Sequence, residues 1–174
     1  MALKLVKPRE QHKQKILAYR DAFLETSTVI PGSASLHELP IDEWYERVQL
    51  DLANPRWGRV PASQYMSIDS ETEDIIGMIQ LRHELNEDLE NYGGHIGYSV
   101  HPSHRKQGHA TTMVKLCLDK AKRIGIPRVL IVCDVNNEAS ARVIEKSGGI
   151  FEDIRTDPSD GTSQRRYWIT LEDH

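Results

Sequence analysis

Cysteine is scarce. Cys117 and Cys133 are the only two in 174 residues, each sits in an apolar stretch, and neither belongs to a CxxC or Cys/His spacing. A disulfide-stapled secreted scaffold is therefore excluded, both thiols are expected to be reduced core residues, and no metal is expected. Basic charge is not in excess either. Lys and Arg number 22 against 26 Asp and Glu, for a formal net charge of −4, so nothing favours a polyanion and no nucleic-acid partner is expected. No segment approaches the ~20 apolar residues of a membrane span, and Met1–Leu5 lacks the apolar run of a secretory signal. The expectation is a soluble, cytoplasmic chain with no membrane partner.

What is present fits one folded unit. With 39% hydrophobic and 28% charged residues, the chain can bury one real core and is short for two. Leu3 and Leu5 open an alternating strand that stops at Pro8. Ile16, Leu17, Tyr19, Phe23 and Leu24 recur near helical spacing between Arg9 and Thr26. After a loop over 27–40, Asp42 is placed to cap a second helix running to Leu52, with Trp44, Tyr45, Val48 and Leu52 on one face. Core packing is the expectation for Trp44, Tyr45 and Trp57.

The period then changes to two. Residues 63–69 and 74–85 read as paired strands around a turn at Ser70-Glu71-Thr72. A polar link over 86–91 leads to a strand at His95–Val100. Acidic Glu84, Glu87, Asp88 and Glu90 crowd that link, and a solvated hairpin tip is their expected role. A helix follows from Gly108 to Ile124, with Met113, Leu116, Cys117, Ala121 and Ile124 as its buried stripe and Gly125 ending it. Val129–Cys133 is apolar enough for a strand buried on both faces. A helix over 137–147 and closing strands at 150–154 and 164–171, with Trp168 in the core, complete a mixed α/β domain. No repeat or linker divides it.

The most informative stretch is the basic loop Arg105-Lys106-Gln107-Gly108-His109-Ala110 with Thr111. It joins a strand to a helix that begins with small residues. The first amides of a helix carry about half a positive charge and lack partners, which suits phosphate oxygens. Gly108 permits the turn and close approach of a ligand, while Arg105 and Lys106 add charge. No GxxxxGK[ST] or GxGxxG is present, so the other two common phosphate loops are excluded.

These residues resemble the GNAT superfamily of N-acetyltransferases. Residues 105–110 match that family's [RQ]-x-x-G-x-[GA] loop, which cradles the coenzyme pyrophosphate. Downstream, Asn137-Glu138-Ala139-Ser140-Ala141-Arg142-Val143-Ile144-Glu145-Lys146-Ser147-Gly148-Gly149 is similar to its N-x-x-[AS]-x-x-[LV]-[YF]-E-K-x-G-[FG] segment. The resemblance is nearest to a bacterial branch of predicted acetyltransferases and covers about residues 60–171. It implies a single α/β (α+β) domain with a mixed central sheet of six to seven strands, helices on both faces and a splay between the fourth and fifth strands. Residues 1–60 would form the acceptor side, and 61–171 the sheet and coenzyme core. It also implies acetyl-CoA as co-substrate and a small-molecule or peptide amine as acceptor. A homodimer is compatible with the family habit. Ser99, Val100, Arg105, Lys106, Gln107, Gly108, His109, Ala110, Thr111, Asn137 and Ser140 would hold the coenzyme.

Acetyl transfer to an amine needs the amine neutral, although a lysine-like amine has a pKa near ~10.4. His95 stands where related sequences carry a glutamate, and it is the candidate base. Alternation sets His95, Gly97 and Ser99 on one strand face, and Ile96, Tyr98 and Val100 on the other. The family's usual acid, a tyrosine, is replaced by Ile144, which cannot donate a proton. Tyr98, Tyr167 and His101 are candidates for that role, and the acid stays unassigned. Two alternatives to an active enzyme follow: a catalytically weak acyl-CoA-binding or regulatory module, and a protein-interaction domain sharing the fold.

Overall fold

The computed structural model describes residues 1–171. The chain runs β1 (Leu3–Val6), α1 (Lys13–Leu24), α2 (Ile41–Asp51), β2 (Ala62–Asp69), β3 (Ile75–Arg82), β4 (Ile96–Val100), α3 (His109–Arg123), β5 (Arg128–Asp134), α4 (Glu138–Lys146), β6 (Ile150–Thr156) and β7 (Ser163–Thr170). The strands form two antiparallel sheets, β1-β2-β3-β4 and β5-β7-β6. The expected central sheet of six to seven strands has seven, divided between β4 and β5 at the place expected to splay. Main-chain pairing between the two strands is confined to the closed end, where the His95 N–H donates to the Leu130 carbonyl at 2.7 Å. No ladder joins β4 to β5 beyond it.

Helices cover both faces. Ile16, Tyr19, Phe23, Trp44 and Val48 from α1 and α2 pack with Met66, Ile68 and Met78 on one face of the first sheet. Met113, Val114, Cys117, Leu118 and Ala121 of α3 pack with Tyr65, Ile79, Leu81 and Ile96 on the other, in a core shared with β5, α4 and β7. The α3 stripe recurs at three- and four-residue steps, as an amphipathic helix requires. Ile124, expected in that stripe, lies past the last turn and is exposed, and Leu116 is only half-buried.

Other details depart from expectation. Pro40, not Asp42, occupies the cap position of α2, because its carbonyl accepts the Trp44 amide. Asp42 sits in the first turn, where its charge complements the helix dipole, and accepts from Lys13 Nζ at 2.6 Å. Trp57 is fully exposed rather than packed. The polar link contains one π-helical turn at Leu89–Gly93. On β7, Arg166 and Tyr167 are buried while Trp168 is half-buried beneath the Arg128 guanidinium. Arg166 is neutralised there by Glu152 and Asp153 and donates to the Glu90 carbonyl. Among the described residues no helix is long and apolar enough to cross a membrane.

Candidate active site

Parting β4 from β5 opens a cavity of about 900 Å3 between the two sheets. One wall is β4 from Ile96 to Val100, and the other is the end of β5 from Val132 to Asp134. The N-terminus of α3 closes one side, α4 another, and Phe23 and Pro31 mark its boundary toward α1.

The α3 end is built for an anion. Lys106 and Gly108 both have left-handed backbones, with φ of 61° and 81°. This loop brings the chain into α3 with its first amides leading. The first helical bond there is Thr112 N–H to the Gly108 carbonyl at 3.3 Å, so His109, Ala110 and Thr111 have no intrahelical acceptor. Arg105 and Lys106 add cationic charge at this mouth, and Arg142 and Lys146 line the cavity from α4. Arg105 is held over the Phe23 ring, 5.0 Å from its centroid. A chain with a net charge of −4 thus presents a local positive field at a helix N-terminus.

Ser99, Val100, Arg105, Lys106, Gly108, His109, Ala110, Thr111, Asn137 and Ser140 all line this cavity. Gln107 does not. Its side chain turns outward to the Ser103 carbonyl and to His109. Asn137 combines two expected roles: its Oδ1 caps α4 by accepting the Ser140 amide at 3.0 Å, while the residue still lines the cavity.

A family model described as the acetyltransferase (GNAT) domain matches residues 2–150. The chain belongs to the GNAT acetyltransferase family. No curated protein matches it in sequence. Solved structures share the fold at low identity. One is an acetyltransferase from Salmonella typhimurium that modifies the N-terminal serine of a 50S ribosomal subunit protein, at 18% identity and TM-score 0.71, covering 99% of this chain and 96% of that one. Another is a spermidine N-acetyltransferase chimera from Vibrio cholerae and hSSAT, at 16% and 0.68, covering 98% and 96%. A third is the microcin C7 self-immunity acetyltransferase in complex with acetyl-CoA and AMP, at 17% and 0.66, covering 97% and 92%.

Against the GNAT pattern, the side chains divide clearly. Ile144 is fully buried in the core behind α4. One helical turn earlier, the Tyr98 hydroxyl reaches across from β4 and lies 2.6 Å from Ser140 Oγ. Burial pushes the Tyr98 pKa up to about 12, with the Ser140 bond opposing. Tyr167 instead donates to Glu145, and His101 accepts the Ser103 amide; neither lines the cavity.

His95 also lies outside the cavity. Its Nδ1 accepts the Leu130 amide at 2.9 Å, so the neutral ring carries its proton on Nε2. Burial, and then the Arg82 guanidinium, lower its pKa to about 4. The residue pins β4 to β5 at the closed end of the splay.

Sequence reasoning missed three kinds of residue. Cys133, assigned to the core, is buried but forms part of the cavity wall, and burial pushes its thiol up to about 11. Such a thiol is a poor nucleophile at neutral pH. Arg142 and Lys146 follow Ala139 at i+3 and i+7 on one face of α4, which was the available signal. The Tyr98–Ser140 contact spans 42 positions and left no local trace.

Proposed function

We propose that this GNAT protein transfers the acetyl group of acetyl-CoA to a primary amine by direct attack within a ternary complex. The observation that carries this reading is the single cavity uniting the α3 N-terminus with the Tyr98–Ser140 pair. In this reading the amides of His109–Thr111, with Arg105 and Lys106, hold the pyrophosphate. Asn137 and unpaired main-chain groups of β4 orient the pantetheine arm and the thioester carbonyl.

Tyr98 replaces the family tyrosine that Ile144 lacks, supplied from β4 instead of α4. It remains protonated at neutral pH, so it offers a hydroxyl proton and does not serve as a base. Complete proton transfer from a group near 12 to a thiolate near ~8.5 is uphill. The hydroxyl therefore serves as a hydrogen-bond donor to sulfur as charge develops there. The Ile144 departure motivates a second reading, a catalytically weak acyl-CoA-binding module, and Tyr98 is the argument against it.

His95 is not the base in this account, because its one lone pair is already engaged. The amine proton leaves through water in the cavity. A homodimer is proposed through β6, an edge strand that exposes Ile150, Phe151 and Ile154; sedimentation velocity tests it, and a monomer at all concentrations rejects it.

Calorimetry with acetyl-CoA and a thiol-release assay over a panel of amines test the function together. Saturable binding with amine-dependent release is expected. Binding without release above hydrolysis would leave only the second reading.

A further inference from the structure

Three histidine rings follow one another at the coenzyme mouth. His101 meets His104 edge to face at 5.4 Å between centroids, and His104 meets His109 at 6.2 Å. His104 and His109 line the cavity together with Arg105, Lys106 and the residues that open α3. Neither is paired with a carboxylate: among the described residues the histidine that pairs with an acid is His37, with Glu38. The groups facing the cluster are cationic or neutral. They are Arg105 and Lys106 from the loop, the amino terminus near His109, and Tyr19 of α1, edge-on to His101. Arg142 and Lys146 line the α4 wall. Asp134 is the one carboxylate in the cavity wall, at the end of β5, where it accepts the Asn136 amide. Burial first, then these cationic neighbours, hold the His101 and His109 pKa values below the ordinary one.

Gln107 sets the tautomer of His109. Its amide nitrogen donates to the Ser103 carbonyl at 3.5 Å, which turns Oε1 toward His109 Nε2 at 3.3 Å. An amide oxygen only accepts, so the neutral ring donates from Nε2 and keeps its lone pair on Nδ1. That lone pair repels a phosphate oxygen, whereas a proton placed on it makes a charge-assisted donor. We propose that coenzyme binding here is proton-coupled: His104 and His109 wait as neutral imidazoles and take up a proton from solvent when the diphosphate enters. The inference rests on the coenzyme half of the acetyl-transfer reading. It adds His104 to the residues that hold the coenzyme and gives Gln107, which lies outside the cavity, a positioning role.

The sign follows from linkage. A diphosphate beside an imidazole favours the charged ring, so the bound state holds more protons than the empty one. By reciprocity, protons favour the bound state. Affinity is therefore greatest in acid and is lost as pH rises and the bound rings deprotonate. Arg105 and Lys106 stay charged across the window from about pH 5 to 8, where only histidine changes charge without a large perturbation. They supply a constant attraction, and the two histidines supply the adjustable part.

Calorimetry of CoA binding near pH ~6.5, in two buffers of different ionisation enthalpy, counts the protons taken up. The unaltered protein should take up roughly half a proton or more beyond a variant carrying both His104→Asn and His109→Asn. Ionisation of the ligand itself is common to both proteins and cancels. A second measurement needs no variant. Dephospho-CoA lacks the 3′-phosphate, whose second pKa near ~6 would add a pH dependence of its own. Its affinity for the unaltered protein should weaken roughly tenfold from about pH 5.5 to 8. Saturable binding with a flat affinity across that range would overturn the proposal and keep the coenzyme site, whatever the folding of the variant. So would equal proton uptake by the unaltered protein and a folded variant. No saturable binding of CoA at any pH would overturn the coenzyme reading itself, and the proposal with it.

Discussion

His95 and Leu130 exchange two hydrogen bonds across the closed end of the splay: the His95 amide reaches the Leu130 carbonyl at 2.7 Å, and the Leu130 amide reaches His95 Nδ1 at 2.9 Å. Removing the ring in His95→Ala leaves a buried amide unpaired, which costs ~1–3 kcal/mol. The expected result is a lower denaturant midpoint. His95→Gln, if folded, should keep kcat within a few-fold; a folded variant losing several hundred-fold in kcat would restore His95 as the base.

The same residue sets a pH dependence. Its pKa is about 4 in the folded chain and near ~6.5 when unfolded. Between these values the unfolded state binds more protons, so this contribution to stability is complete above ~6.5 and is lost as pH falls toward 4. Thermal midpoints recorded across that window should fall with acid, and less steeply in His95→Gln. An identical slope in both proteins would show that His95 does not contribute.

Tyr98→Phe removes the donor without emptying its site. A hydrogen bond to a developing charge is worth about 1.5–3 kcal/mol, so kcat should fall roughly 10- to 100-fold. Acetyl-CoA affinity should stay nearly constant. An unchanged kcat would return Tyr98 to a packing role against Ser140.

Gly108→Val tests the loop at its turn. A Cβ there meets no atom within 4 Å, so the protein itself has room, but φ is +81°. The left-handed backbone costs a substituted residue about 1–2 kcal/mol. A further loss of coenzyme affinity, beyond what this destabilisation explains, is expected because the side chain projects where the pyrophosphate would approach. Wild-type affinity in the folded variant would exclude that approach.

The α3 end was legible because phosphate binding there uses main-chain amides and small residues, and those requirements fall on consecutive positions, 105 to 111. The α3 stripe was legible for a similar reason, although Leu116 and Ile124 were placed in it wrongly, since periodicity alone does not say where the last turn leaves the sheet. Partnerships across the splay were hidden. Nothing near Tyr98 announces Ser140, and nothing near His95 announces Leu130. The burial of Asp51 was readable: with Trp44 and Val48 it falls at i, i+4 and i+7 on the buried face of α2. Trp57 defied its apolar character because the loop after α2 carries it clear of both cores.

The central claim is that the amides opening α3 grip the coenzyme diphosphate. Amide chemical shifts followed while acetyl-CoA is titrated into labelled protein test it residue by residue. Saturable shifts should be largest at 105–111, with a second set at 97–100 where β4 leaves β5. Binding that saturates while residues 105–111 do not move would contradict it.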